Sequence, residues 1–307
     1  MTSLVLKRLL TAIPTLLVLV TLTFFLMRLA PGGPFDRARV MPPAIEKALD
    51  AEYHLDESLL RQYARYLSGL VRGDFGPSFQ YEGYSVRELI AAGFPVSCLL
   101  GVCALALGLA IGCALGIVAA LRHNRVADLG VMSVAMLGIS TPNFVLAPLL
   151  VLVFAVTLGW LPAGGWDLSE PSTLVLPVVA LAAPQVAYIA RLMRGSMIEV
   201  LQSSFIRTAR AKGLSSRRVI FVHALKPAFM PVLSYLGPAA AGIITGSVVI
   251  EQVFGLPGIG RYFVQAALNR DYTLVLGVVV FYGALIIALN LVVDLLYAVL
   301  DPRVQSS

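Results

Sequence analysis

Charge, histidine and cysteine are all scarce in this sequence. Of 307 residues, 13% are charged and 58% hydrophobic, and there are three cysteines and three histidines. Cys98, Cys103 and Cys113 lie in one apolar run, which excludes a disulfide framework and offers no metal-ligand spacing. They read as small buried hydrophobes. His54, His123 and His223 fall in three separate segments. No G-x-x-x-x-G-K-S/T stretch occurs, so the chain has no phosphate-binding loop of its own. The zinc-protease pattern H-E-x-x-H and the nucleophile elbow G-x-S-x-G are also missing. "GLPGIG", Gly255–Gly260, lacks the G-x-G-x-x-G order and follows an apolar run. It reads as a tight turn leading into a short surface helix, Ile259–Asn269. With no visible nucleophile, base or metal set, an intramembrane enzyme is disfavoured.

What the sequence has is long apolar runs, with a mean hydropathy of +0.85. Six spans are expected: Leu9–Met27, Phe94–Leu121, Leu129–Leu158, Thr173–Ile198, Ala228–Val253 and Tyr272–Leu300. At about 1.5 Å per residue each can cross a hydrocarbon core. The first is too long for a signal-peptide core and is followed by "RLAPGGPF", not a cleavage site, so it is read as retained. Breakers lie inside the spans. Pro142 follows Ser140 and Thr141 in the third, Pro177 and Pro184 are expected to interrupt the fourth, and Gly237–Pro238 the fifth. Such breaks are tolerated beside other helices, hydroxyl side chains or a water-filled cavity, which favours a packed bundle with a path through it.

The net charge of +6 bears first on topology. With the N-terminus inside, Lys7, Arg8, Arg122, Arg125, Arg303 and the basic loop between spans four and five are all cytoplasmic, while Gly159–Ser172, without Lys or Arg, is outside. Both termini are then expected in the cytoplasm. The outside segment 31–93 carries most of the acids. In it, "PPAIEKALDAEYHL" spaces Ile45, Leu49 and Tyr53 helically, and "DESLLRQYARYLSGLVRG" is expected to start at an Asp56 N-cap and end near Gly73. It would show Leu59, Tyr63, Tyr66, Leu67 and Leu70 on one face. Such a cap is too small to stand alone and is expected to dock on the span mouths.

Between spans four and five, Arg207, Arg210, Lys212, Arg217 and Arg218 gather with no acid among them. Glu199 to Lys212 reads as one helix with Leu201, Phe205 and Ala209 as an apolar stripe. Gly213 is placed to end it in the left-handed conformation, and Ser215 or Ser216 to cap a second helix running through Val222 into the fifth span. Two readings fit: an amphipathic elbow resting on anionic lipid, or a shape that enters a partner's groove.

"FIRTARAKGLSSRRVIFVHALKPA" resembles the cytoplasmic coupling loop of bacterial ATP-binding cassette importer permeases in their peptide-importer form. The general pattern is Glu-Ala-Ala, three residues, Gly, nine residues, then Ile-x-Leu-Pro. Ala209, Gly213 and Leu225 fit it. Arg207 stands in place of Glu, Thr208 of Ala, His223 of Ile and Lys226 of Pro, with Pro227 one residue later. "MRLAPGGPF", "YHLDESLLRQY", "GDFGPSF", "GLPGIG", "LNRDY" and "LLYAVLDPRV" extend the likeness along the chain, to membrane subunits of the oligopeptide and dipeptide branch.

The resemblance implies an all-α membrane protein with the type I importer permease fold. It has six transmembrane helices, with a small helical periplasmic insertion between the first two. The corresponding division is 1–30, the insertion 31–93, a permease core 94–300 with its coupling loop 199–227, and a cytoplasmic tail 301–307. The resemblance also implies a multi-pass protein of the bacterial inner membrane that imports oligopeptides, with dipeptides, a nickel chelate or glutathione as alternatives. The implied partners are a homologous second permease subunit, two cytoplasmic ATPase subunits, a periplasmic or lipid-tethered binding protein, and lipid, but no nucleic acid. ATP and Mg belong to the ATPase subunits, and no cofactor is expected in this chain. The coupling loop would comprise Phe205, Arg207, Thr208, Ala209, Arg210, Ala211, Lys212, Gly213, Leu214 and Ser215.

Ser140, Thr141 and Asn143 of the third span, Gln185 and Tyr188 of the fourth, and Ser247 and Glu251 of the fifth are candidates to line the path. Helix packing is the competing role for them. Glu251 and Asp294 are ionisable groups near span ends, where snorkelling or pairing with a cation is the common explanation. A gradient-driven transporter would show paired midplane charges and an inverted repeat, and neither is visible.

Overall fold

The computed structural model describes residues 2–29, 47–48 and 51–300. The expected helical positions Ile45 and Leu49, and the tail 301–307, lie outside them. Among the described residues the chain is helical throughout, with only an isolated bridge between Pro77 and Ser85. Among the described residues, five helices are long and apolar enough to cross a membrane, and a bent helix pair brings the number to six if counted as one crossing. The chain divides into two compact units, one of 97–256 with 288–307, the other of 3–96 with 257–287.

In the second unit, helix α1 (Thr2–Leu29) lies beside the amphipathic helix α2 (Leu59–Val71). The Thr21 and Tyr63 hydroxyls are 2.6 Å apart, and Phe24 packs on the rings of Tyr63 and Tyr66. The expected Asp56 cap is not used. Ser58 takes the extended N-cap position, and Gln62 is the buried residue of α2. Leu59, expected on the packed face, is exposed. Gly73 closes the helix as expected, at φ +74°, with its N–H on the Leu70 carbonyl.

Helix α3 (Val86–Leu121) begins eight residues before the expected span. Its start is fixed by a reciprocal cap: Glu88 Oε2 accepts from the Ser85 N–H at 2.8 Å, and Ser85 Oγ accepts from the Glu88 N–H at 3.2 Å.

The first unit is organised around α6 (Val175–Leu201), whose Leu181, Ala187, Ile189, Ala190, Met193 and Met197 are all buried. Against it α3 presents Gly108, Gly112 and Gly116, spaced by four. A Cβ on Gly112 would lie 2.8 Å from Ile189 Cβ, and one on Gly116 only 2.6 Å from the Ala190 carbonyl oxygen. These glycines let two helix backbones approach closely.

The third span is the largest departure from expectation. Helix α4 (Val126–Ser140) and helix α5 (Asn143–Leu150), which continues as a π turn (Val151–Thr157), meet at 105°. Each arm alone is too short to cross a bilayer, which takes about 20 residues. Pro142 disfavours helical backbone at the residue before it, and Thr141 is accordingly extended at φ −89°, ψ 114°. Its hydroxyl donates to the Leu137 carbonyl at 2.8 Å.

The other expected breaks do not occur. Helix α6 includes Pro177 in its first turn, where the missing N–H is not needed, and runs on through Pro184. Helix α8 (Leu225–Gly246) runs through Pro231 and Pro238. The fifth span is interrupted at Ser247 instead, before helix α9 (Val248–Val253). Helix α10 (Ile259–Asn269) has the expected bounds and ends at Arg270 in the left-handed conformation. Helix α11 (Tyr272–Leu300) follows, capped by Asp271, whose Oδ1 accepts from the Leu274 N–H at 3.1 Å.

Candidate coupling element and translocation path

The basic loop forms two elements joined by a turn. Helix α7 (Ser204–Ala211) is separate from α6, because Gln202 and Ser203 donate back to the Glu199 and Val200 carbonyls and close the longer helix. The expected single helix Glu199–Lys212 is therefore two, and in its stripe Leu201 and Ala209 pack inward as expected while Ile206 takes the place expected of Phe205. Ile206 and Ala209 face inward, whereas Phe205 is 47% exposed. Ile206 and Ala209 pack with Met193 and Met197 of α6 and with Val219, Ala224 and Ala228 beyond the turn. This anchors the loop to the foot of α6.

The turn has the expected form. Gly213 sits at φ +78°, its N–H donates to the Arg210 carbonyl at 2.9 Å, and Leu214 N–H reaches the Ala209 carbonyl at 3.3 Å. Ser215 caps the next turn (Ser216–Arg218), which passes through a π turn (Val219–Ala224) into α8. Arg207, Thr208, Arg210, Ala211 and Lys212 are exposed, and Leu214 is half-buried. Phe221 and Val222, at 63% and 61% exposed, add to Phe205 an apolar surface that sequence reading missed. Exposed apolar side chains in a loop that also exposes basic ones suit docking.

The path candidates separate into two groups. On α6, Gln185 Oε1 accepts from the Tyr235 hydroxyl at 2.8 Å, Tyr188 stacks on Tyr235 with centroids 5.8 Å apart, and Arg191 lies 5.4 Å over the Tyr188 ring. Tyr235 and Arg191 were not legible as site residues. Gly138 of α4 approaches Ala183 and Ala187 in the same stretch of α6, which brings the elbow with exposed Ser140 and half-buried Thr141 and Asn143 to that level. The Asn143 Oδ1 is buried without a hydrogen bond.

Ser247 and Glu251 belong elsewhere. Both are fully buried, with Glu251 Oε1 accepting from Ser247 Oγ at 2.5 Å and Ser97 Oγ at 2.6 Å. Glu251 does not snorkel, and the cluster ties α9 to α3 instead of lining open space. Asp294 is half-buried on α11. A further cluster was missed altogether. Asp128, 1% exposed at the start of α4, receives Nε and a terminal nitrogen of Arg194 and the Asn124 N–H, with His123 Nδ1 3.4 Å away.

The family described as binding-protein-dependent transport system inner membrane component matches residues 112–306, and the N-terminal membrane component of such systems matches residues 1–97. The chain is 56% identical over 305 residues to the oligopeptide transport system permease protein OppB of Salmonella typhimurium, covering 99% of this chain and 100% of that one. It is 55% identical, with the same coverage, to OppB of Escherichia coli K12. It is 48% identical to the dipeptide transport system permease protein DppB of Bacillus subtilis, over 95% of this chain and 94% of that one. Among solved structures it resembles an inward-facing form of the MetNI methionine ABC transporter, at a TM-score of 0.55 and 16% identity, over 70% of this chain and 97% of that one. An amino acid ABC transporter with histidines gives 0.52 and 19%, over 70% and 94%. At these identities the structural likeness speaks for the fold.

Proposed function

This chain belongs to the family of binding-protein-dependent transport system inner membrane components, and we propose that it forms one half of the path by which an ATP-driven importer takes up oligopeptides. It is a multi-pass membrane transport component. The observation that carries the substrate is identity of 55–56% along the whole chain to two oligopeptide permeases, against 48% to a dipeptide permease. A homologous second subunit completes the path, two cytoplasmic ATPase subunits dock on the loop around Gly213, and a binding protein delivers peptide from outside. Both termini face the cytoplasm.

In this reading ATP-driven closure draws the coupling elements together and turns the path outward, and hydrolysis resets it. The exposed Phe205, Phe221 and Val222 enter the ATPase groove, and the buried Ile206 and Ala209 pass the motion to α6. Gln185, Tyr188, Tyr235 and Arg191 offer peptide a sparse set of polar and aromatic contacts. The test is ATP-dependent accumulation of labelled peptides in proteoliposomes that hold the assembled importer and its binding protein. Pentapeptide uptake well above dipeptide uptake is expected. Uptake of dipeptide alone would move the chain to the dipeptide branch.

A further inference from the structure

Helix α4 has little apolar grip on the rest of the first unit. Its buried residues are Asp128 and Ala135, whereas Val126, Leu129, Val134, Met136 and Leu137 are exposed. Its approach to α6 is made with small groups. A Cβ on Gly138 would lie 3.2 Å from the Ala183 carbonyl oxygen and 3.4 Å from Ala187 Cβ. Small residues let two helices come close, but they supply no interlocking side chains to oppose sliding or rotation.

One polar contact does oppose it. Asp128, 1% exposed, accepts from Arg194 of α6 twice, from Nε at 2.5 Å and from a terminal nitrogen at 2.7 Å. The Asn124 N–H donates to the same carboxylate at 2.9 Å, and Asn124 is held at φ +61° in the turn between α3 and α4. His123 of that turn places Nδ1 3.2 Å from the Arg194 terminal nitrogen. A bidentate pair fixes direction as well as distance. Such a pair, once buried, adds little stability over apolar packing. Its contribution here is register: it pins the first turn of α4 to one place on α6.

That place lies between two parts of the transport machinery. Arg194 sits between Met193 and Met197, the methionines on which Ile206 and Ala209 of the coupling element pack. The far end of α4 leads through Ser140 into the 105° elbow. We propose that Asp128 and Arg194 are positioning residues for transport. They make α4 travel with α6 when the coupling element moves, so that the elbow is carried to its place in the path. Both act through the helices they join. The proposal rests on the coupling role given to the loop around Gly213.

The assembled importer with its binding protein, in proteoliposomes, tests this through two mild substitutions. Arg194→Lys keeps the charge but cannot form two parallel bonds, and Asp128→Asn keeps the volume. Each should hold peptide-stimulated ATP hydrolysis within about twofold of the unmodified protein while peptide imported per ATP falls about tenfold, within the usual range of coupling between sites. A merely structural role would lower both rates together and leave their ratio unchanged, which overturns the proposal. So does a normal ratio at normal rates. Spin labels on Ser133→Cys and Ser216→Cys, both exposed positions, in a background without Cys98, Cys103 and Cys113, report the same linkage directly. In the otherwise unmodified importer one narrow distance is expected, the same without nucleotide and after vanadate trapping with ATP. In Arg194→Lys the distance should shift or broaden on trapping. A distance that changes on trapping without the substitution, or stays fixed with it, overturns the proposal. If the unmodified assembly imports no peptide, the transport reading fails and the distances alone decide on the pair.

Discussion

Arg194 clasps Asp128 through two hydrogen bonds, Nε to Oδ1 at 2.5 Å and a terminal nitrogen to Oδ2 at 2.7 Å. The pair joins the first turn of α4 to α6, near the end of α6 that carries the coupling loop. Asp128 is also well placed for the helix dipole at the start of α4.

The two partners are not equivalent, and their loss should differ. Arg194→Ala leaves a carboxylate 1% exposed with the Asn124 N–H and His123 near it, and breaking such a buried pair costs about 3–5 kcal/mol. Asp128→Ala leaves Arg194, whose side chain is 25% exposed and can turn toward water. Thermal unfolding of the purified chain should show the larger drop in Tm for Arg194→Ala. Equal drops would mean that burial of the carboxylate is not what makes the pair matter.

The glycine ridge of α3 gives a sharper steric expectation. A Cβ at Gly116 would meet the Ala190 carbonyl oxygen at 2.6 Å and Met193 Cβ at 2.7 Å, and neither can move without α6. Gly116→Ala should destabilise by about 1–3 kcal/mol, the scale of overpacking. Gly195→Ala on α6 is the control, since nothing lies within 4 Å of its added Cβ. A lower Tm for the first and none for the second is expected. The converse would place the close approach of α3 and α6 in doubt.

Local signals were legible and long-range ones were not. The turn at Gly213, the bounds of Ile259–Asn269 and the break before Pro142 follow from backbone chemistry within a few residues. The early start of α3 was hidden because Arg87 and Glu88 interrupt the apolar run, although Ser85 and Glu88 spell a capping box. The bend at Pro142 was legible as a break but not as 105°, since packing sets the angle. Sequence spacing puts Phe205 on the buried face because the stop at Gln202–Ser203 carries no strong breaker residue, so the pattern reads as one helix. Gly108, Gly112 and Gly116 are a spaced-four pattern that could have been read. Asp128 with Arg194, and Glu251 with Ser97, are joined across 66 and 154 residues and leave no local trace.

Topology is open to direct measurement. Ser68 on α2 and Ser216 beyond the Gly213 turn are both exposed. Each is replaced by cysteine in a background without Cys98, Cys103 and Cys113, and intact cells are treated with an impermeant thiol reagent. The distribution of Lys and Arg predicts labelling at position 68 and protection at 216 until the cells are opened. Labelling at 216 in intact cells would invert the proposed orientation.

Gly213 carries the most specific functional prediction. Its φ of +78° is a conformation in which a β-branched residue costs on the order of 1–2 kcal/mol, and no neighbouring atom lies within 4 Å of an added Cβ. The cost of Gly213→Val is thus conformational and not steric. It is too small to unfold a helical bundle whose loop is anchored by Ile206 and Ala209. It is large enough to relax the turn and shift the exposed Phe221 and Val222 relative to Phe205. Coupling between sites is typically only about 1–3 kcal/mol, so such a shift can abolish it. Gly213→Val should reach the membrane at normal levels, recover the ATPase subunits weakly on pull-down, and show no peptide-stimulated ATP hydrolysis. Arg207→Ala and Arg210→Ala should each do less, because single exposed charges contribute little. Normal transport by Gly213→Val would reduce the loop to an elbow on the membrane surface.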